Sequence, residues 1–526
     1  MFKFAVLSQF VALALAAIGP QADLFIGNAN VAPDGFQRSA ALAGTDANSM
    51  VFPGPVIQAF KGETFNINVR NRLADPSMLR TTSIHWHGFF QAGSAWADGP
   101  VGVTQCPIAP NRDFLYTFAT ARQAGTFWYH SHHRSQYCDG LRGAMVVYDP
   151  EDPHRSLYDV DNEDTIITLA DWYHPPGPVL ETLNVATANS TLINGKGRYP
   201  TGPTTPLAVV GVTAGKRYRF RLVSISCSPF FTFSIDGHRM TIIEADGEST
   251  QPLVVDSIDI HAGQRYSFVL EANQPVANYW IRSNPNRGNR GFAGGLNTAI
   301  LRYVGAPDAD PVKPSDVDVP VPALPLVETN LHPLENPAAP GPPALGGEGV
   351  TAIELQIGLQ GREWTVNGAT FHEPNEPILL QTLNGKQMNE LLPNQGSLFP
   401  IPRNSVIELT MPGGGAGSPH PMQLHGHMFS VIRSASNSTP NFVNPVRRDV
   451  VSLGSNTADR VTVRFVTDNA GPWIMHCHID WHLVHGLSVV FVEDIEGISD
   501  SQRVAEDHPW RQLCPIYEQE KPDNEP

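Results

Sequence analysis

Apolar and polar residues alternate along much of the chain. Thr64-Phe65-Asn66-Ile67-Asn68-Val69 and Tyr218-Arg219-Phe220-Arg221-Leu222-Val223 switch character at every position. Val406-Ile407-Glu408-Leu409 and Arg460-Val461-Thr462-Val463-Arg464-Phe465 do the same. A period of two is that of a strand with one buried face, so each run predicts a half-buried β-strand. Gly, Pro, Asn and Asp punctuate the runs at short intervals, as turns between short strands require. No long stretch carries a helical period before the C-terminal end. The expected class is all-β, built of sandwiches or barrels.

One stretch breaks the pattern. Residues 306–347 are dense in Pro, Ala, Gly and Asp, with Pro320, Pro322, Pro325, Pro340, Pro342 and Pro343. That composition predicts an extended linker. A weaker boundary falls at Asp149-Pro150-Glu151-Asp152-Pro153. Three domains of similar size follow, 17–150, 151–305 and 348–526, the last with a C-terminal tail.

Composition agrees: 45 glycines and 46 prolines in 526 residues suit many turns, and 41% hydrophobic residues suffice for a sizeable core. The net charge of −16 repels phosphate backbones and anionic lipid. Nucleic acid and membrane surfaces are therefore not expected partners. A neutral, cationic or small partner is, and the chain is expected to be a monomer.

The first residues read as an export signal over 1–16. Lys3 precedes an apolar run from Phe4 to Ala17, and Ala14-Leu15-Ala16 has the small-x-small form of a cleavage site. The run is too short to span a bilayer. Two sequons, Asn189-Ser190-Thr191 and Asn437-Ser438-Thr439, fit a secreted glycoprotein. Of five cysteines, Cys477 lies between two histidines and is the expected free thiol. Cys106, Cys138, Cys227 and Cys514 allow three pairings, among which spacing does not choose.

Histidine placement carries the chemistry. Four windows, 85–87, 130–133, 420–427 and 476–485, hold 12 of the 19 histidines. Even placement would put about one there. Each window contains His-x-His: His85/His87, His130/His132, His425/His427 and His476/His478. On a strand, residues i and i+2 share a face, so each pair aims two imidazoles into one space. Four pairs from both ends of the chain predict a metal cluster between two domains. In His476-Cys477-His478-Ile479-Asp480-Trp481-His482, the thiol faces away from the two flanking imidazoles. One metal on the sulfur and others on the imidazoles would be joined through a few covalent bonds. Zinc cannot use such an electron path, so copper is the expected metal. Lone histidines such as His154, His238, His261, His332 and His372 read as ordinary core or surface residues.

These motifs, with Ser83-Ile84-His85-Trp86-His87-Gly88 and Thr126-Phe127-Trp128-Tyr129-His130-Ser131-His132, resemble those of basidiomycete-type fungal laccases, members of the multicopper oxidases. The resemblance covers essentially the whole chain. It implies three cupredoxin-like Greek-key β-barrel domains and four coppers, with dioxygen and small phenolic or aromatic compounds as substrates. It implies a blue copper on His420, Cys477 and His482, with Leu487 at the axial position. It implies a trinuclear cluster on His85, His87, His130, His132, His425, His476 and His478. Cys477, His476 and His478 are the implied electron path, and Asp98 an acid that helps deliver protons. The implied disulfides are Cys106–Cys514 and Cys138–Cys227.

Two departures stand out. The family's third motif reads His-Pro-x-His-x-His-Gly-His, whereas this chain has Gln423 at the second histidine. His85 then remains the sole implied imidazole of the lone type 2 copper, since His427 lies outside the ligand set. After Cys227 the family often carries an acid that accepts the phenol's proton, and here it is Ser228. Ser228 and His482 are the expected substrate contacts. Arg287, where laccases tend to have an aromatic wall, reads as a solvated arginine; facing inward it would disfavour cations. The expected function is a secreted, extracellular laccase, weakened by Gln423 and Ser228. The alternatives are a copper-binding protein with little turnover, and an oxidase of metal ions or ascorbate. Lignin degradation is one role the sequence allows.

Overall fold

A computed structural model describes residues 17–183, 185–393 and 396–522. The export signal over 1–16 lies outside the described residues. The strands assemble into three groups of sheets, over 21–148, 166–303 and 350–493, and no sheet mixes strands of two groups. Among the described residues the longest α-helix, Leu513–Glu520, has eight residues. The protein is all-β.

Strand Thr64–Arg72 alternates exposed or partly exposed and buried positions along its whole length, as its sequence predicts. Strand Arg217–Ser224 does not follow its pattern: both of its faces are buried. Arg219 is ion-paired with Asp152 and Glu244, and Arg221 with Asp161 at 2.7 Å. Arg221 also donates to Thr126 Oγ1 at 3.0 Å and lies over the Tyr148 ring. The polar face of this strand packs in the seam between the first and second sheet groups. Its charges are tolerated there because each has a carboxylate partner.

Two sheets present the histidines. In the first group, Ile84–His87 pairs antiparallel with Gly125–Ser131, with His85 opposite His130. In the third, Pro421–Leu424 pairs antiparallel with Gly471–Cys477, with Met422 opposite Cys477 and Gln423 opposite His476.

The end of the chain holds these two groups together. Trp510, Leu513 and Tyr517 bury against the core of the first group. Each such side chain contributes about 1.5–3 kcal/mol. Cys514 bonds Cys106, a closure spanning 408 residues of sequence. Residues 306–347 cross from the second group to the third. Gln251 N–H donates to His332 O (2.8 Å), and Arg464 donates to Pro342 O (2.7 Å).

Candidate metal centre

Between the first and third sheet groups, two sets of three imidazoles meet. His132, His425 and His476 converge, with His132 Nε2 and His425 Nε2 at 3.4 and 3.1 Å from His476 Nε2. His478 Nε2 lies 3.3 Å from His87 Nδ1, and the His130 ring packs beside both. Two nitrogens each about 2 Å from a shared metal at a tetrahedral angle lie about 3.3 Å apart. The spacing therefore fits first-row metal ions.

The tautomers are set from outside. Nδ1–H of His425 donates to Asp98 Oδ2 at 2.8 Å, that of His130 to Ser131 O at 2.8 Å, and that of His476 to Cys477 O at 3.0 Å. Each Nε2 is left as a lone pair aimed inward, and the buried His130 Nε2 has no hydrogen-bond partner among the described residues. His87 is reversed: Nε2 lies 3.4 Å from Asp449 Oδ1, so Nδ1 faces the cavity. Burial holds His87, His130, His132, His425 and His478 well below the usual imidazole pKa, and His476 at about 4. Neutral imidazoles packed this closely suit a cation that accepts their lone pairs.

Gly263 makes the close approach possible. Its φ is +85°, and a Cβ there would lie 2.7 Å from His478 Cδ2 and 3.0 Å from His87 Cε1. An L side chain is disfavoured by both the conformation and the space.

A third group lies on the other side of the Gly471–Cys477 strand. Cys477 Sγ is 3.6 Å from His420 Nδ1 and 3.5 Å from His482 Nδ1. His420 Nε2–H donates to Ala416 O at 3.0 Å, which leaves Nδ1 free to face the sulfur. Burial pushes the Cys477 thiol up to about 12, so a thiolate here needs a cation beside it. Leu487 is fully buried and accepts the Cys477 N–H through its carbonyl at 3.0 Å. Its aliphatic side chain offers no donor atom. Sulfur with two imidazoles fits copper in a trigonal site.

Residues 29–152, 163–306 and 371–497 match three family models, each described as multicopper oxidase. The chain belongs to the multicopper oxidases. The oxidase is 56% identical to Laccase-2 of Pleurotus ostreatus over 509 residues, covering 95% of this chain and 93% of that protein. It is 54% identical to Laccase-2 of Trametes versicolor, covering 98% of each. Among solved structures, the laccase of Botrytis aclada superposes with a TM-score of 0.80 at 29% identity, covering 95% of this chain and 92% of that one. Fet3p, a multicopper oxidase that functions in iron import, superposes with a TM-score of 0.79 at 27% identity, covering 94% of each. Copper is therefore the cofactor of the oxidase, dioxygen and a reducing substrate are its reactants, and its domains are cupredoxin-like.

The remaining expected site residues are also located. Asp98 is fully buried and accepts from two imidazoles: His425 through Oδ2, and His85 Nδ1 through its backbone carbonyl at 2.8 Å. Ser228 is half-buried, and its N–H donates to Asp171 Oδ2 at 3.1 Å. His427 points away from the cluster, 3.0 Å from Glu493 Oε2. Both disulfides form as the resemblance implies, and Cys477 is free.

Arg287 corrects the sequence reading. It is half-buried rather than solvated, and its Nη2 donates to the carbonyls of Gly417 and Ser418. A Cβ on Gly417 would lie 2.7 Å from His482 Cε1, so the guanidinium holds the loop that lies against His482. Among the described residues, no carboxylate forms an ion pair with Arg287. The same loop lies against Trp364, which a Cβ on Gly417 would approach to 3.2 Å and whose ring packs 4.4 Å from His482 and 5.1 Å from His420. No local sequence signal marks Trp364, Asp449 or Gly263, because each reaches the site through the tertiary fold.

Proposed function

We propose that this multicopper oxidase is a secreted laccase that oxidises small phenolic or aromatic donors one electron at a time and reduces dioxygen to water. The observation that carries the reading is the divergence at residues 476–478. Cys477 faces His420 and His482, while His476 and His478 each enter a different imidazole set. A sulfur and both imidazole sets are thus joined through one short piece of backbone. Copper, when bound, supplies the one-electron redox chemistry.

The protein's own groups have distinct roles in this reading. His420, Cys477 and His482 hold the blue copper. His87, His130 and His478 hold one member of a coupled pair, and His132, His425 and His476 the other. His482, 8% exposed, is the point of donor contact, with Arg287 holding the adjacent loop and Ser228 as the second donor contact of this reading. Ser228 can hydrogen-bond a phenol but is a poor base. Asp98 orients His425 and His85 and is placed to pass protons to the cluster. Four phenols release four electrons and four protons, which convert one dioxygen to two waters.

Secretion rests on the sequence signal. Among the described residues, no helix is long and apolar enough to cross a membrane. The side chains of both sequon asparagines accept a backbone N–H, Asn437 from Thr439 and Asn189 from His174, but Ser438 and Thr439 are exposed whereas Ser190 and Thr191 are buried. Asn437 is the better placed acceptor. A monomer with neither nucleic-acid nor membrane partners fits the net charge of −16.

The test is oxygen uptake by the copper-loaded, blue protein with a phenolic donor and, separately, with ferrous ion and ascorbate. Uptake with the phenol at four donors per dioxygen is expected. Uptake only with ferrous ion or ascorbate would replace this reading.

A further inference from the structure

His85 has the same preparation as the clustered imidazoles but a different neighbour. Its Nδ1–H is tied to the Asp98 carbonyl at 2.8 Å, so its Nε2 carries the lone pair. Its ring stacks on His425 with centroids 4.0 Å apart and borders both imidazole sets, 5.7, 5.4 and 5.5 Å from the rings of His87, His130 and His132, which are already engaged in those sets. What faces His85 Nε2 is the side-chain amide of Gln423, with Nε2 at 3.3 Å. Gln423 precedes His425 by two residues and pairs across the sheet with His476, so its side chain shares their face.

The amide meets the lone pair with the wrong group. Gln423 N–H donates to the nitrogen that would otherwise bind a metal. Among the described residues its Oε1 has no hydrogen-bond partner, in a residue 1% exposed. Buried polar atoms are seldom left unpaired, so an oxygen in this position invites a cation or a water. Turning the amide over would aim Oε1 at the same space. The position would then offer one imidazole and one hard amide oxygen, whereas each neighbouring position has three imidazoles. Oxygen donors of this kind suit copper less well than imidazole does.

We infer that the metal position between His85 and Gln423 holds copper weakly and in exchange with solvent, while the blue site and the coupled pair hold theirs tightly. The inference rests on the laccase reading for the other sites. It makes Gln423 the residue that sets copper stoichiometry in this chain.

The experiment is dialysis of the copper-loaded, full-length protein against a mild chelator. Copper per chain, visible absorption and electron paramagnetic resonance follow. The unmodified protein is expected to stay blue, to retain about three coppers per chain, and to lose the resonance signal beyond that of the blue site. Gln423→His should retain about four coppers and keep that signal. Gln423→Leu, which removes both amide atoms, should retain as much copper as the unmodified protein. Retention of a fourth copper with full signal by the unmodified protein would overturn the inference, even with the blue colour intact. So would a lower copper content in Gln423→Leu than in the unmodified protein. A colourless preparation would instead overturn the ligand assignment at Cys477, and this inference with it.

Discussion

Cys477 and His476 are adjacent in the chain, yet their side chains serve opposite sides of one strand. The Cys477 sulfur lies 3.5 Å from His482 Nδ1, while His476 Nε2 lies 3.1 Å from His425 Nε2. Two metal environments are therefore separated by a few covalent bonds.

Cys477→Ser should remove the blue colour and stop oxidation of every donor. The sulfur is the soft ligand that gives intense charge-transfer absorption on copper, and a hydroxyl does not replace it. The imidazole sets lie on the other face of the strand and should keep their copper. Visible absorption and metal content check this outcome. Colour that survives the substitution would count against Cys477 as the blue-copper ligand.

Ser228→Asp should raise kcat/KM for phenols by about 10²-fold and leave non-phenolic donors nearly unchanged. The reason is proton acceptance, which a carboxylate supplies and a hydroxyl does not. Steady-state kinetics on one donor of each class decide it. Equal gains for both classes would mean that the position does not touch the phenol.

Arg287→Leu should shift donor preference from anionic toward cationic aromatics by roughly tenfold in KM ratio, an effect that weakens with added salt. The guanidinium is half-buried, without a carboxylate partner among the described residues, next to the loop that lies against His482. Arg287→Lys separates charge from loop geometry, because an ammonium keeps the charge and loses the fork. Its preference should stay anionic. A shift as large as that of Arg287→Leu would assign the effect to the loop.

Copper-free protein should lose thermal stability as pH falls from about 6.5 to about 4. Burial lowers the pKa of His420 and His476 to about 4, so folded chains keep them neutral while unfolded chains protonate them below 6.5. The unfolded state then binds more protons, and stability rises with pH across this window. Copper-loaded protein should be more stable by a roughly constant amount across the window, because the folded imidazoles are unprotonated with or without the metal and only the unfolded chain titrates. Melting temperatures of both forms across the window test the prediction, and a copper-free curve that stays flat from about 6.5 to about 4 would contradict it.

The local part of this design is legible in the chain. His-x-His on a strand places two imidazoles on one face whatever the rest of the protein does, since side chains alternate along extended backbone. The same rule sends Cys477 away from its neighbours. Alternation also announced the strand at Thr64–Arg72, whose solvent-facing side behaves as its residues predict. It failed at Arg217–Ser224, because ion pairs across the seam between sheet groups bury positions that look like surface.

What the sequence determined by itself is the all-β class, the set of imidazoles and the single odd thiol, all consequences of short-range periodicity and composition. The tertiary structure decided which of those groups meet. Residues 85–132 and 420–478 share a cluster because the first and third sheet groups pack on a common core, to which the chain end returns and is fastened by Cys106–Cys514. Only that packing brings Gln423 against His85, and only the packing of separate loops turns Arg287 toward Gly417. Contacts between residues far apart in sequence depend on how whole sheets pack, and no local period encodes that.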